Sequence, residues 1–142
     1  MSQTRIPKAL RKKVAVKANY RCGYCLTQER VIGMPMDIDH IIPEALGGPT
    51  EEANLWLVCG LCNAFKSNKI RVLDYETNEI VSLFNPRYQV WKEHFKWSSD
   101  GDIIEGLTPS GRATVATLQL NRELLVEARK LWVIVGWHPP KD

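Results

Sequence analysis

Four cysteines, arranged as two Cys-x-x-Cys pairs, have the spacing that most directly suggests chemistry. The pairs are Cys22 with Cys25 and Cys59 with Cys62. Each pair closes a tight chelating turn, and two pairs complete a tetrahedral site of four sulfurs, which is typical of structural zinc. Such a site leaves no open coordination position, so this zinc would not be catalytic. Disulfides, an iron–sulfur cluster and redox use are the less favoured alternatives.

Asp39-His40 lies between the two cysteine pairs, and Asn63 directly follows the second pair. If all the cysteines share one metal, the strand that carries Asp39-His40 is held beside the helix that Asn63 opens. Oxygen ligands from Asp39 and Asn63 can then meet at a hard cation, with His40 within reach of a water on the other side. A histidine on an apolar strand is more often structural, so the catalytic interpretation depends on this cysteine frame.

These motifs, taken in order, resemble the HNH endonuclease family over about residues 20–69. The motifs are Cys22-x-x-Cys25, Asp39-His40-Ile41-Ile42-Pro43, Gly47-Gly48, Asn54-Leu55 and Cys59-x-x-Cys62-Asn63-x-x-Lys66. The resemblance implies a ββα-metal nuclease module in which Asp39 and Asn63 bind the catalytic cation and His40 is the general base. It also implies that Asn54 braces the loop between the strands. Asn63 replaces the histidine expected there, and its amide oxygen favours Mg²⁺ or Mn²⁺ over softer metals.

Basic residues are concentrated ahead of the first cysteine pair, where residues 1–21 contain no acid. Pro7 at the first helical position predicts a helix running to about Ala18, and Asn19 tolerates the left-handed backbone that ends one. Beside a nuclease motif, such a helix is expected to bind DNA phosphates, although a merely solvated surface is the alternative. The residues predicted to contact DNA are Lys8, Arg11, Lys12, Lys13 and Lys66.

The elements that must position the site follow from hydrophobic patterning. Residues 36–41 alternate apolar and polar side chains as a half-buried strand does, and residues 55–58 form a second, apolar strand. The glycine and proline cluster at residues 47–49 forces a loop between them. Residues 63–69 are most simply interpreted as a short helix, which completes the order strand, loop, strand, helix.

The C-terminal half predicts further small elements. We expect one hairpin turning near Asn78, a helix over residues 88–95 and another hairpin turning at Asp100-Gly101. Thr108 and Asn121 are the predicted N-caps of two helices within residues 109–135. The predicted core-facing stripe of the last helix is Leu124, Leu125, Ala128, Leu131, Trp132 and Val135.

A length of 142 residues, with 44% hydrophobic and 25% charged side chains, fits one compact domain or a catalytic module with an extension. No apolar run approaches a membrane span, so a soluble cytoplasmic protein with reduced thiols is expected. We therefore predict an α+β fold: a zinc-bound catalytic module over residues 1–70 and an α/β extension over residues 71–142, packed on or beside it. The predicted activity is metal-dependent DNA cleavage, and the rival is a noncatalytic zinc-ribbon module that binds DNA.

Overall fold

The computed structural model describes residues 5–141 and divides the chain into two compact units. The first unit comprises residues 5–70 and the short segment Asn85–Gln89, and the second comprises Arg71–Phe84 and residues 90–141. Both units contain helices and small antiparallel strand pairs, which confirms the predicted α+β class. None of the helices within the described residues is long and apolar enough to cross a membrane.

The first unit begins with a basic helix and continues into a strand pair and a short helix. The basic helix starts after Pro7, one residue later than predicted, and stops where Asn19 and Tyr20 both adopt a φ of 55°. This left-handed backbone ends the helix, as predicted for Asn19. The elements of this unit are α1 (Lys8–Lys17), α2 (Glu29–Ile32), β1 (Asp37–His40), β2 (Leu55–Val58) and α3 (Gly60–Lys66).

Strands β1 and β2 pair antiparallel, with Asp39 opposite Trp56 and His40 opposite Leu55. Both strands lie where the sequence predicted them. Leu55 belongs to a small core with Ile6 and Val14, against which Leu10 and Ile38 pack from α1 and β1. The apolar stripe of α1 therefore covers one face of the hairpin, and its basic residues are left to the surface.

Helix α3 begins earlier than the sequence predicted. Cys59 is its N-cap, because the thiol Sγ of Cys59 accepts a hydrogen bond from the backbone N–H of Cys62 at 3.4 Å. The second Cys-x-x-Cys pair thus forms the first turn of the helix instead of preceding it. The helix also ends earlier, at Lys66, because Ser67 has a φ of 51°. The predicted span of 63–69 was therefore shifted toward the C-terminus.

The second unit contains two hairpins and three helices within its described residues. The predicted turns are confirmed, with Asn78 and Gly101 at φ values of 61° and 77°. The helix predicted over residues 88–95 is reduced to a single turn, and Phe95 instead begins a strand. The elements are β3 (Arg71–Asp74), β4 (Glu79–Ser82), α4 (Trp91–His94), β5 (Phe95–Trp97), β6 (Ile104–Gly106), α5 (Pro109–Thr117) and α6 (Glu123–Ile134).

Helix α5 is capped by Thr108 as predicted, but α6 differs from its prediction in two respects. Asn121 is not its cap, because the Asn121 side chain bonds to both backbone groups of Ile104 instead. The predicted core-facing stripe is also wrong in half of its members, since Leu124 is 83% exposed, Leu131 is 65% exposed and Val135 is exposed as well. The other three, Leu125, Ala128 and Trp132, are half-buried. The buried face is centred on Arg129, whose guanidinium reaches backbone carbonyls of the preceding segments.

Candidate active site and metal centre

The four cysteine thiols meet in one buried cluster. Their Sγ atoms all lie within 4.8 Å of one another, and Cys25 Sγ is 3.7 Å from Cys59 Sγ. A tetrahedral site with metal–sulfur bonds of about 2.3 Å has sulfur–sulfur separations of about 3.8 Å. Among the residues that the structure describes, this is the one group of three or more Cys, His or acidic residues placed to hold a metal ion. The donor set and its dimensions therefore fit zinc.

The turn that carries Cys22 and Cys25 is fixed against the second strand through Gly23. The backbone N–H of Gly23 donates to Leu57 O at 2.9 Å. A Cβ at this position would collide with the Trp56 ring and with Pro86, so only glycine allows the close approach. The first cysteine pair is thereby held beside the strand that leads directly into the second pair.

Burial and mutual hydrogen bonds shift the pKa values of the cysteine thiols in opposite directions. Burial raises the pKa of Cys22 well above its ordinary value. Hydrogen bonds from Cys22, and then from Cys59, lower the pKa of Cys25 well below it. Four thiolates this close together repel one another strongly in a buried site, so full ionisation requires a cation at their centre. The cluster has the chemistry of a metal site whose occupation is linked to folding.

His40 lies at the end of β1 and is only 4% exposed. Its Nε2 is 2.8 Å from the hydroxyl Oγ1 of Thr50 and 3.6 Å from a carboxylate oxygen of Glu44. Its Nδ1 is buried and has no hydrogen-bond partner among the described residues. A buried polar atom without a partner is rare in folded proteins and often marks a functional group.

Asp39 is 8% exposed and pairs with a lysine from helix α3. Lys66 Nζ lies 3.0 Å from Asp39 Oδ2, and it donates to His40 O at 3.1 Å and to Ile41 O at 3.2 Å. Burial raises the pKa of Asp39, and the Lys66 charge and hydrogen bond oppose that shift. Lys66 is itself 1% exposed, so the prediction that it contacts DNA is wrong: its ammonium is committed inside the protein.

Asn54 connects the two ends of the loop between the strands. Its side-chain oxygen accepts from Ile42 N at 2.9 Å, and its amide nitrogen donates to Ile42 O and Pro49 O at 3.0 and 2.9 Å. Gly48 makes this packing possible, because a Cβ there would collide with Ile42 O. The loop that contains Thr50 is thus held close to the end of β1.

Asn63 forms its hydrogen bond with Asp37, whereas Asp39 is the acid with which it was expected to share a cation. Its Nδ2 donates to Asp37 Oδ2 at 3.2 Å in an exposed position. Asp37 and Asp39 are alternate residues of β1 and so lie on the same face of the hairpin. The described contacts therefore link α3 to β1 twice, through Asn63 with Asp37 and through Lys66 with Asp39.

Residues 22–69, about a third of the chain, match the family model described as HNH endonuclease. The chain contains an HNH domain. The matched range includes the four cysteines and Asp39, His40, Asn54 and Asn63. The match to this family model suggests nuclease activity, and HNH nucleases act on DNA. No curated protein and no solved structure matched the chain.

The basic residues of α1 lie on the surface beside the HNH domain core. Lys8, Arg11, Lys12 and Lys13 are all exposed. Lys13 makes an ion pair with Glu52 at 3.5 Å, although its side chain remains 67% exposed. Exposed ion pairs of this kind contribute little, so the charge stays available to a ligand.

Two neighbours of His40 in the HNH domain were missed by sequence reasoning. Thr50 and Glu44 are joined by a hydrogen bond of 3.2 Å and both approach the histidine ring. They stand in an irregular loop, where no periodicity indicates which side chains point inward. The only available signal was their closeness in sequence to the Asp39-His40 motif.

Proposed function

We propose that this chain is a metal-dependent DNA endonuclease that hydrolyses phosphodiester bonds, by nicking or by double-strand cleavage. The observation that carries the proposal is the state of His40, which is buried next to the carboxylate of Asp39. Its Nε2 is engaged by Thr50, and its Nδ1 has no hydrogen-bond partner in the part of the chain that the structure describes. A general base needs an available lone pair at a fixed position, and Nδ1 offers one.

The catalytic cation would be held by oxygen atoms of Asp39 and Asn63. Carboxylate and amide oxygens are hard ligands, which suit Mg²⁺ or Mn²⁺. Asp39 Oδ2 is buried with the Lys66 ammonium 3.0 Å away, so a bound cation would share this carboxylate with Lys66. When bound, such a cation supplies charge neutralisation for the phosphate and for the leaving oxygen.

The role of His40 is to take a proton from the attacking water. The water oxygen forms a bond to phosphorus, its proton passes to Nδ1, and the bond from phosphorus to the 3′-oxygen breaks. The products carry a 5′-phosphate and a 3′-hydroxyl. Lys66 and Asn54 do not touch the reacting atoms in this scheme: they hold the backbone of residues 40–42 in place.

The four thiolates would hold a structural zinc, because they fill its tetrahedral shell and leave no position for substrate. The exposed basic face of α1, with Lys8, Arg11, Lys12 and Lys13, would contact DNA phosphates. Thiol ligands persist in a reducing compartment, so we place the protein in the cytoplasm.

The test is cleavage of supercoiled plasmid with Mg²⁺, with Mn²⁺ and without either metal. His40→Ala should lower the cleavage rate by about 10²- to 10⁴-fold and leave DNA affinity and zinc content near those of the wild type. Asp39→Ala should also disable cleavage and should bind the catalytic cation weakly, whereas His40→Ala should still bind it. His94→Gln, in the second unit, is the matched histidine control.

The rival function, a noncatalytic zinc module that binds DNA, predicts binding without cleavage in every metal. A wild type that binds plasmid but never converts it to nicked or linear forms would establish the rival. Cleavage by His40→Ala at close to the wild-type rate would remove His40 as the base.

A further inference from the structure

We propose that Thr50 and Glu44 are positioning residues that fix the tautomer of His40, so that the ring proton stays on Nε2 and the lone pair on Nδ1. The inference rests on the proposed function for its catalytic meaning. Its structural content stands on the three-residue chain from Glu44 through Thr50 to His40.

The directions of the hydrogen bonds from Glu44 through Thr50 to His40 follow from the number of protons that each group can donate. A threonine hydroxyl has one proton to donate. Thr50 Oγ1 donates to Glu44 Oε1 at 3.2 Å, and an ionised carboxylate only accepts. The same hydroxyl lies 2.8 Å from His40 Nε2 and must accept there. Nε2 therefore carries the proton, and Nδ1 of the neutral ring is left with its lone pair.

The opposite tautomer would break the hydrogen bond between Thr50 and Glu44 and leave a buried N–H donor without an acceptor in the described part of the chain. With the proton on Nδ1, the Thr50 hydroxyl would have to turn from Glu44 to donate to Nε2. The Glu44 carboxylate would then lie 3.2 Å from the Thr50 oxygen and 3.6 Å from Nε2 with no proton to accept from either. The Nδ1–H would then be a buried donor with no acceptor among the described residues. The His40 side chain is only 3% exposed, so solvent has little access to relieve either problem.

The hydrogen bonds of Asn54 fix the positions of Glu44 and Thr50 relative to His40. Asn54 binds both backbone groups of Ile42, two residues before Glu44, and it binds Pro49 O, directly before Thr50. Glu44 itself opens a short 3-10 turn, Glu44–Leu46, which begins after Pro43. Asn54 therefore acts on the histidine through the placement of Glu44 and Thr50.

Thr50→Val tests the proposal, because valine keeps the shape and removes the hydroxyl. The ring nitrogens of His40 are followed by ¹⁵N NMR in histidine-labelled protein, at a pH where the ring is neutral. Single-turnover plasmid cleavage and DNA affinity are measured on the same samples. We expect the Nε2–H form in the wild type and a mixture of tautomers in Thr50→Val. The cleavage rate of that variant should fall about 10- to 100-fold at unchanged DNA affinity.

Thr50→Ser should restore both the wild-type tautomer and the rate, since it restores the hydroxyl. The matched control is Thr77→Val, which removes a hydroxyl that bonds to Asp74 at 2.8 Å in the second unit. That variant should cleave as the wild type does. A general effect of losing a threonine–carboxylate bond would affect both valine variants equally.

The outcomes separate this inference from the proposed function. An Nδ1–H tautomer in the wild type overturns the inference even if Thr50→Val fails to fold. So does a Thr50→Val variant with unchanged tautomer and rate. If the wild type does not cleave DNA, the endonuclease proposal fails, but loss of the Nε2–H form in Thr50→Val still supports the positioning role.

Discussion

Each unit of the molecule buries one histidine, and the two histidines have different surroundings. His138, in the second unit, is 6% exposed; its Nε2 bonds to Gly101 O at 2.9 Å, and its ring lies edge-on to Trp97 and Trp132. His40 is as deeply buried, but its neighbours are a hydroxyl and ionisable groups, and its Nδ1 has no partner within the described residues. Burial alone therefore does not distinguish a structural histidine from a catalytic one. The chemistry around the ring does.

Each unit also buries a cationic side chain, and the surroundings of these two side chains differ as well. Arg129 is fully buried in the second unit, where it donates to Asp102 O and Leu120 O at 3.0 and 2.7 Å and lies over the Trp97 ring. Lys66 also binds backbone carbonyls, but its ammonium in addition faces the carboxylate of Asp39. Arg129 fixes the chain path, whereas Lys66 also balances a charge that the proposed reaction needs.

Loss of a cysteine of the metal cluster should change the stability of the first unit more than any other substitution. Cys22→Ser or Cys59→Ser should unfold much of the first unit, because its thiols join segments far apart in sequence and zinc binding is linked to folding. Wild-type protein should contain about one zinc per chain. The indole NMR signals of Trp56 in the first unit, and of Trp97 and Trp132 in the second, report each unit separately. A well-folded wild type that contains no zinc would contradict this expectation.

Removal of the buried ammonium of Lys66 should have a smaller effect. Lys66→Met leaves the Asp39 charge uncompensated, so the free energy of unfolding should fall by about 3–5 kcal/mol. The loss should shrink in an Asp39→Asn background, because no buried charge is then stranded. Urea unfolding of the single and double variants measures both values.

Arg129→Met is the matched change in the second unit. It should destabilise by roughly 2–3 kcal/mol through unsatisfied carbonyls. The same loss should follow with or without Asp39→Asn. Equal coupling of Lys66 and Arg129 to Asp39 would show that the ion pair of Lys66 has no special part in the stability of the first unit.

The smallest expected effect concerns DNA affinity. Replacing Lys8, Arg11, Lys12 and Lys13 with glutamine should weaken binding across sequences and flatten its salt dependence by about 0.9 in log–log slope for each lost phosphate contact. Cleavage products should not change. A control replaces four basic residues of the second unit, namely Lys92, Lys96, Lys130 and Lys141. If both sets reduce the slope equally, the first helix is not a specific DNA surface.

Regular patterns in the sequence were enough to predict much of the fold. Alternating side chains marked β1, the apolar run marked β2, and Asn78 and Gly101 marked the hairpin turns. The cysteine cluster was also predictable, because two chelating pairs have one tetrahedral arrangement that satisfies all four thiols. In each case a local rule and the tertiary structure favour the same answer.

The errors at Arg129 and Lys66 have a common physical cause, which is that a long cationic side chain binds backbone carbonyls of other segments. Arg129 turns its face of α6 inward against the apolar pattern, and Lys66 enters the HNH domain although it follows an exposed helix turn. Thr50 and Glu44 sit in a loop whose shape depends on Asn54. None of these contacts has a periodic signal, so composition and spacing could not reveal them.

Segment Asn85–Gln89 gives the chain an unusual connectivity. The chain leaves the first unit after Ile70, returns for this segment, and then leaves again. Within the first unit, Arg87 Nε donates to Leu55 O and Tyr88 Oη donates to Ala53 O, each at 3.2 Å, and the Arg87 guanidinium lies over the Trp56 ring. No single cut in the polypeptide therefore separates the two units intact. A gene fragment ending near residue 70 would carry the HNH motifs without the Asn85–Gln89 segment, so recombination is expected to exchange the two units together.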